Sequence, residues 1–108
     1  MIGEVSVRDI SEEFKSAEIG YFIDKDYEGH GLISQACGLL IDYVFMEFDI
    51  ERLELGCDVN NAGSQRIADK FGFVKEGVAR SGFIADGRLI DCANYSLLRT
   101  EYMAGGTL

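Results

Sequence analysis

The run Ala17-Glu18-Ile19-Gly20-Tyr21-Phe22-Ile23-Asp24 reads as an apolar strand. After Lys25-Asp26-Tyr27 it enters Glu28-Gly29-His30-Gly31-Leu32, a two-glycine turn that opens a long amphipathic stretch. A strand, a glycine turn and a helix in that order confine the fold to a unit whose helix starts at the end of a strand. The same order makes an anion cradle. Glycines let a ligand approach the backbone with no Cβ in the way, and the first turn of a helix offers unpaired N–H groups and the positive end of its dipole. Gly-x-Gly alone is equally compatible with a turn that uses glycine only for its φ angle.

A second block, Asn60-Asn61-Ala62-Gly63-Ser64-Gln65-Arg66-Ile67-Ala68-Asp69-Lys70-Phe71-Gly72-Phe73, lies one strand downstream, after Arg52 to Val59. The pair of blocks is far more specific than either part. Around them the pattern predicts strands over 2–7, 17–24, 53–59 and 73–78. From Gly31 to about Phe48, Leu32, Ala36, Leu39, Leu40, Tyr43 and Val44 recur at helical spacing, so that face is expected against a sheet. A shorter helix runs from Ser64 to Phe71 and stops at Gly72. Asp86-Gly87 is the strongest hairpin signal, joining a strand around 82–85 to one over 89–98, and the tail from Met103 to Leu108 is expected to fray. Because the strands at 17–24 and 53–59 are joined through a helix, they are expected to be parallel.

With 108 residues, 47% of them hydrophobic, the chain is expected to form one globular domain with a modest core. No apolar stretch reaches the length of a membrane helix, and the first residues lack the pattern of a signal peptide, so a cytoplasmic protein without a membrane partner is expected. The net charge of −9 argues against nucleic acid as a partner. The charge is lopsided. Residues 1–50 hold eleven Asp/Glu against three Lys/Arg, and residues 51–108 hold eight against seven. This split suits a cationic amine on one side and an anionic cofactor on the other, and equally a solvated acidic surface. Cys37, Cys57 and Cys92 are odd in number and widely spaced, which suggests buried hydrophobes and no metal site.

The two blocks together resemble the GNAT superfamily of acetyl-CoA-dependent N-acetyltransferases, and most closely its RimJ/RimL-like branch, which acetylates ribosomal-protein N-termini. The residues that carry the resemblance are Ile2-Gly3-Glu4-Val5, Ala17-Glu18-Ile19-Gly20-Tyr21, Tyr27-Glu28-Gly29-His30-Gly31, Asn61-x-x-Ser64, Lys70-Phe71-Gly72-Phe73, Glu76-Gly77-x-x-Arg80 and Asp91-x-x-x-Tyr95-Ser96-Leu97-Leu98. The resemblance implies an α+β fold: a twisted, mostly antiparallel central sheet with a parallel splayed strand pair and two flanking helices. It also implies that this chain is a partial domain, because the family's domain ordinarily begins with a strand and two helices ahead of anything matching Ile2. Missing sheet neighbours would leave an edge exposed near 2–7 and favour homo-oligomers.

By the same resemblance, Glu28, Gly29, His30, Gly31 and Leu32 wrap the pyrophosphate of acetyl-CoA, and Phe22 and Ile23 lie along its pantetheine arm. The Phe22 N–H would face the acetyl carbonyl, Asn61 would contact the arm, and Ser64 would protonate the leaving thiolate. The family's tyrosine acid would fall at Ala68, where this chain has none. Glu18 matches a strand glutamate that acts as general base through water; Asp91 and Tyr95 are alternatives that could orient the amine. The implied reaction is direct attack of a primary amine, foremost a protein N-terminus. A noncatalytic coenzyme A-binding module or inactive fragment is the alternative. A dinucleotide-binding domain fits poorly, since the turn lacks the third glycine of that fingerprint.

Overall fold

Among the described residues five strands and three helices follow in this order: β1 Gly3–Ser11, β2 Ser16–Ile23, α1 Leu32–Glu47, β3 Arg52–Asp58, α2 Ala62–Lys70, β4 Val74–Ala85, β5 Arg88–Leu98 and α3 Arg99–Gly105. The structure is a computed structural model that describes residues 3–23 and 31–105. Its class is α+β with a mixed five-stranded sheet. Two compact units divide the chain, residues 1–53 and residues 54–108.

In the first unit β1 and β2 pair antiparallel, from Gly3 opposite Ile23 to Arg8 opposite Glu18. A bulge between Arg8 and Ser11 puts Asp9 at φ 54, and β1 continues to Ser11, four residues beyond the expected strand. The turn ends at Lys15, whose carbonyl accepts the N–H groups of Glu51 at 2.7 Å and Arg52 at 3.2 Å. Helix α1 packs on β1 and β2, with a face that shares Val44 with the one the spacing suggested but is otherwise different. It buries Ile33, Cys37, Ile41, Val44 and Phe45, while Leu32, Leu39 and Tyr43 are exposed. The helix is apolar nearly all round, so periodicity alone names no single stripe; packing against β1 and β2 chooses it.

The second unit holds most of β3 with α2, the β4–β5 hairpin and α3. Leu55 and Cys57 point inward on β3. Helix α2 stops as expected: Gly72 adopts φ 82, its N–H donates to the Asp69 carbonyl at 3.1 Å, and the Phe73 N–H donates to Ala68 at 2.9 Å. This is the Schellman closure, with buried Phe73 and Ala68 as its apolar pair. The Asp86-Gly87 turn forms with φ 52 and φ 75, the signs of a type I′ turn. Strand β4 runs unbroken from Val74 through the segment expected as two strands, because bulges after Lys75 and Ala79 absorb the irregularity.

The expected fraying from Met103 does not hold as far as Gly105, and residues 106–108 lie outside the described residues. Residues 99–105 form α3 against β5, started by the Glu101 carboxylate, which accepts the Leu98 N–H at 2.9 Å in the manner of half a capping box. That makes a third helix beside the two expected.

The second bulge is crowded. A Cβ on Gly82 would sit 2.7 Å from the Ala79 Cβ and 3.0 Å from its carbonyl oxygen. Gly82→Ala is therefore expected to cost about 1–3 kcal/mol by overpacking, read as a lower urea midpoint at unchanged m-value.

Candidate active site

The C-terminal end of β2 brings Phe22 and Ile23 opposite Glu4 and Gly3 of β1. Glu28, Gly29 and His30 lie outside the described residues, and the chain resumes at Gly31, the N-cap of α1. Gly31 has φ 75 and ψ 2, a left-handed conformation that costs an L-residue about 1–2 kcal/mol. It supplies no side-chain cap, no acidic residue stands in the first turn, and a Cβ there would meet nothing within 4 Å. The first helical bond is Gln35 N–H to the Gly31 carbonyl at 3.0 Å, so the amides of Leu32 and Ile33 have no acceptor within the helix. A glycine-entered helix whose first turn carries no carboxylate suits an anionic ligand.

Glu18 is not a lone strand carboxylate. Its Oε1 accepts from Arg8 Nε at 3.0 Å, across the β1–β2 ladder. Gly20 makes room for this arrangement, since a Cβ there would come within 3.1 Å of the Arg8 guanidinium. Arg8 was not among the expected site residues; its signal in the sequence was only that a β1–β2 hairpin sets it opposite Glu18.

Asn61 and Ser64 meet at the start of α2, where the Ser64 N–H donates to Asn61 Oδ1 at 3.1 Å. Asn61 is thus a helix cap. Gln65 braces the same corner: its Nε2 donates to the Val59 carbonyl at 2.8 Å, and its Oε1 accepts from the Tyr95 hydroxyl at 3.3 Å. Just before the helix, Asp58 receives the N–H groups of Asn60 on Oδ1 and of Asn61 on its carbonyl, both at 2.9 Å. Gln65 is a second residue that spacing did not single out. Its role depends on Tyr95, which lies 30 positions away.

Tyr95 is buried, and its hydroxyl pKa is pushed up, first by burial and then by Cys57 and Asp69. It therefore stays a protonated donor through neutral pH. Asp91, the other residue considered for orienting an amine, is exposed, and its Oδ1 accepts the Ser81 N–H at 2.9 Å. All three cysteines are buried thiols outside any disulfide. Burial pushes the Cys37 thiol up to about 11. Cys57 is raised as well, by burial and then by Cys92 and Asp58, with Lys75 opposing. Such thiols are poor nucleophiles at neutral pH. Among the described residues no cluster of three or more His, Cys, Asp or Glu is placed to hold a metal ion, and no helix is long and apolar enough to cross a membrane.

The model of the acetyltransferase (GNAT) domain matches residues 1–74. The chain belongs to the GNAT acetyltransferase family. YdaF of Bacillus subtilis is 37% identical over 102 residues, 94% of this chain and 56% of YdaF. The ribosomal-protein-serine acetyltransferase of Escherichia coli is 38% identical over 77 residues, 71% of this chain and 43% of its own length. Spermidine N(1)-acetyltransferase of the same organism is 28% identical over 94% of this chain and 55% of that enzyme. Among solved structures, RimL in complex with coenzyme A superposes with a TM-score of 0.81 at 29% identity, over 89% of this chain and 54% of RimL. The GNAT chain thus spans about half the length of the curated relatives it matches.

Two outcomes follow from this geometry. Asn61→Ala should lower stability by about 1 kcal/mol through loss of the cap, measured by urea unfolding. An unfolded thiol ionises near pH 9, whereas Cys37 in the folded chain holds its proton to about pH 11. Unfolding between those values releases a proton, so this contribution is fully present below pH 9 and is lost as pH rises toward 11. The unfolding midpoint should fall across that window, and less steeply in Cys37→Ala.

Proposed function

We propose that this chain forms a single acetyl-CoA-binding domain and acts as an N-acetyltransferase on a primary amine, foremost a protein N-terminus, by direct attack. The observation that carries the reading is the uncapped, glycine-entered start of α1 following β2, in a chain whose first 74 residues match the GNAT model. Acetyl-CoA, the acetyl donor of this family, supplies a thioester whose carbonyl becomes an oxyanion under attack. The backbone amides of residues 28–32, with Glu28, Gly29, His30, Gly31 and Leu32, hold the pyrophosphate; Phe22 and Ile23 offer backbone groups to the arm, and the Phe22 N–H stabilises the oxyanion. Asn61, whose Oδ1 is engaged by Ser64, contacts the arm through its amide nitrogen. Ser64 supplies the proton for the departing thiolate. Glu18 takes the amine proton through water, and Arg8 holds its carboxylate in place.

The preference for a protein N-terminus over a polyamine rests on the relatives: the ribosomal-protein-serine acetyltransferase is 38% identical and the spermidine enzyme 28%. Three free thiols fit a reducing cytosol. A second reading, a noncatalytic coenzyme A-binding module, is favoured by one observation. Both Glu18 and the Asn61 side-chain oxygen already have partners within the chain.

Calorimetric titration with acetyl-CoA tests the proposal. Saturable binding is expected, weaker by about tenfold in Gly31→Val, because a β-branched residue at φ 75 opposes the cradle by roughly 1–2 kcal/mol. Release of free thiol with a peptide bearing an N-terminal serine, at a rate above that with spermidine and lost in Glu18→Gln with binding retained, supports the enzyme. Binding without turnover on either amine leaves the module, and a folded chain that does not bind overturns both.

A further inference from the structure

The loop from β3 to α2 is tied down at both faces of its peptides. On the donor side, the Val59 N–H bonds the Asp91 carbonyl of β5 at 3.2 Å, the Asn60 N–H the Asp58 carboxylate and the Asn61 N–H the Asp58 carbonyl. On the acceptor side the helix can do less. Because α2 starts from its N-cap Asn61, its i→i−4 ladder reaches back no further than the Asn61 carbonyl, which takes the Gln65 N–H at 3.2 Å. The Val59 carbonyl lies beyond that limit. It is taken by a side chain instead, the Gln65 Nε2, at 2.8 Å.

An amide has a donor end and an acceptor end, and Gln65 uses both. A carbonyl only accepts, so Val59 fixes the NH2 end toward the loop, and Oε1 then faces β5, where it accepts from the Tyr95 hydroxyl at 3.3 Å. Tyr95 is 4% exposed, so the far end of the tie is anchored in the core. Glutamate, of the same length, would turn an oxygen on the Val59 carbonyl, and leucine would offer neither end. Asn61 does not fix its own direction: the residue is exposed, and its Oδ1 is already used by the Ser64 N–H at 3.1 Å. Its amide nitrogen therefore goes where the backbone of 59–61 aims it. Without Gln65, the peptide between Val59 and Asn60 stays held at its N–H end by Asp58 and is released at its carbonyl end.

We propose that Gln65 is a positioning residue for Asn61: by locking the Val59 carbonyl to the Tyr95 hydroxyl, it sets the direction in which the loop presents the Asn61 side chain to acetyl-CoA. The assignment rests on the proposed contact of Asn61 with the arm of the cofactor.

Calorimetric titration of the full chain with acetyl-CoA tests it. Gln65→Leu and Gln65→Glu should each bind about tenfold more weakly, the second although it keeps the acceptor for Tyr95. Tyr95→Phe, which keeps the buried ring, should bind about threefold more weakly, because the amide loses its hold at the far end. The decisive comparison is between Asn61→Ala and the same variant carrying Gln65→Leu. Their affinities should agree within about twofold, since nothing is left to position; a role of Gln65 elsewhere would make the losses add. In acetyl transfer the defect should appear in the KM for acetyl-CoA, with kcat within about twofold of wild type. Circular dichroism and urea unfolding establish that each variant is folded under the assay conditions. Folded Gln65 variants that bind as wild type does, or whose loss adds in full to that of Asn61→Ala, overturn the assignment and leave the cofactor reading standing. A folded wild-type chain that does not bind acetyl-CoA overturns the cofactor reading and this assignment with it.

Discussion

Burial of one stripe of α1 is the interaction on which the first unit depends. Ile33, Cys37, Ile41, Val44 and Phe45 are removed from water together with Ala17 and Ile19 of β2. Each large side chain in such a wall is worth about 1.5–3 kcal/mol of transfer free energy. The stripe also sets the rotation of the helix about its axis. With the helix so held, Gly31 has to leave the strand side with φ 75, and the first turn of α1 is left without a side-chain cap.

The polar residues around the candidate site are held by the chain itself. Arg8 engages Glu18, the Ser64 N–H engages Asn61, and Gln65 spans from the Val59 carbonyl to the Tyr95 hydroxyl. Such bonds restrict rotamers and hold groups for chemistry, which is what preorganisation requires. They also reduce the lone pairs open to a ligand. An acetyltransferase reading uses the first consequence, with Arg8 as the support of the base; a binding-module reading uses the second. Tyr95 stands apart, as a phenol kept protonated by burial and by the neighbouring Cys57 and Asp69.

The apolar residues that the core does not use are unevenly distributed. On α1 they border a cavity against β1, and on the β4–β5 hairpin they include the cross-strand pair Ile84 and Leu89 together with Val74, Val78 and Phe83.

Where a few adjacent residues carry the whole physical cause, the outcome was legible in the sequence. Asp86-Gly87 makes its turn because both positions tolerate positive φ, Gly72 closes α2, and Asn61 caps it three residues before Ser64. The family and the α+β class were legible for a similar reason, since their motifs are short and local. The tertiary structure alone decided which face of α1 is buried, that Arg8 occupies Glu18, that Gln65 links Val59 to Tyr95, and that residues 99–105 coil into a helix on β5. Those outcomes depend on partners distant in the chain, and their free energies arise from surface removed from water and hydrogen bonds closed only when the strands and helices have come together.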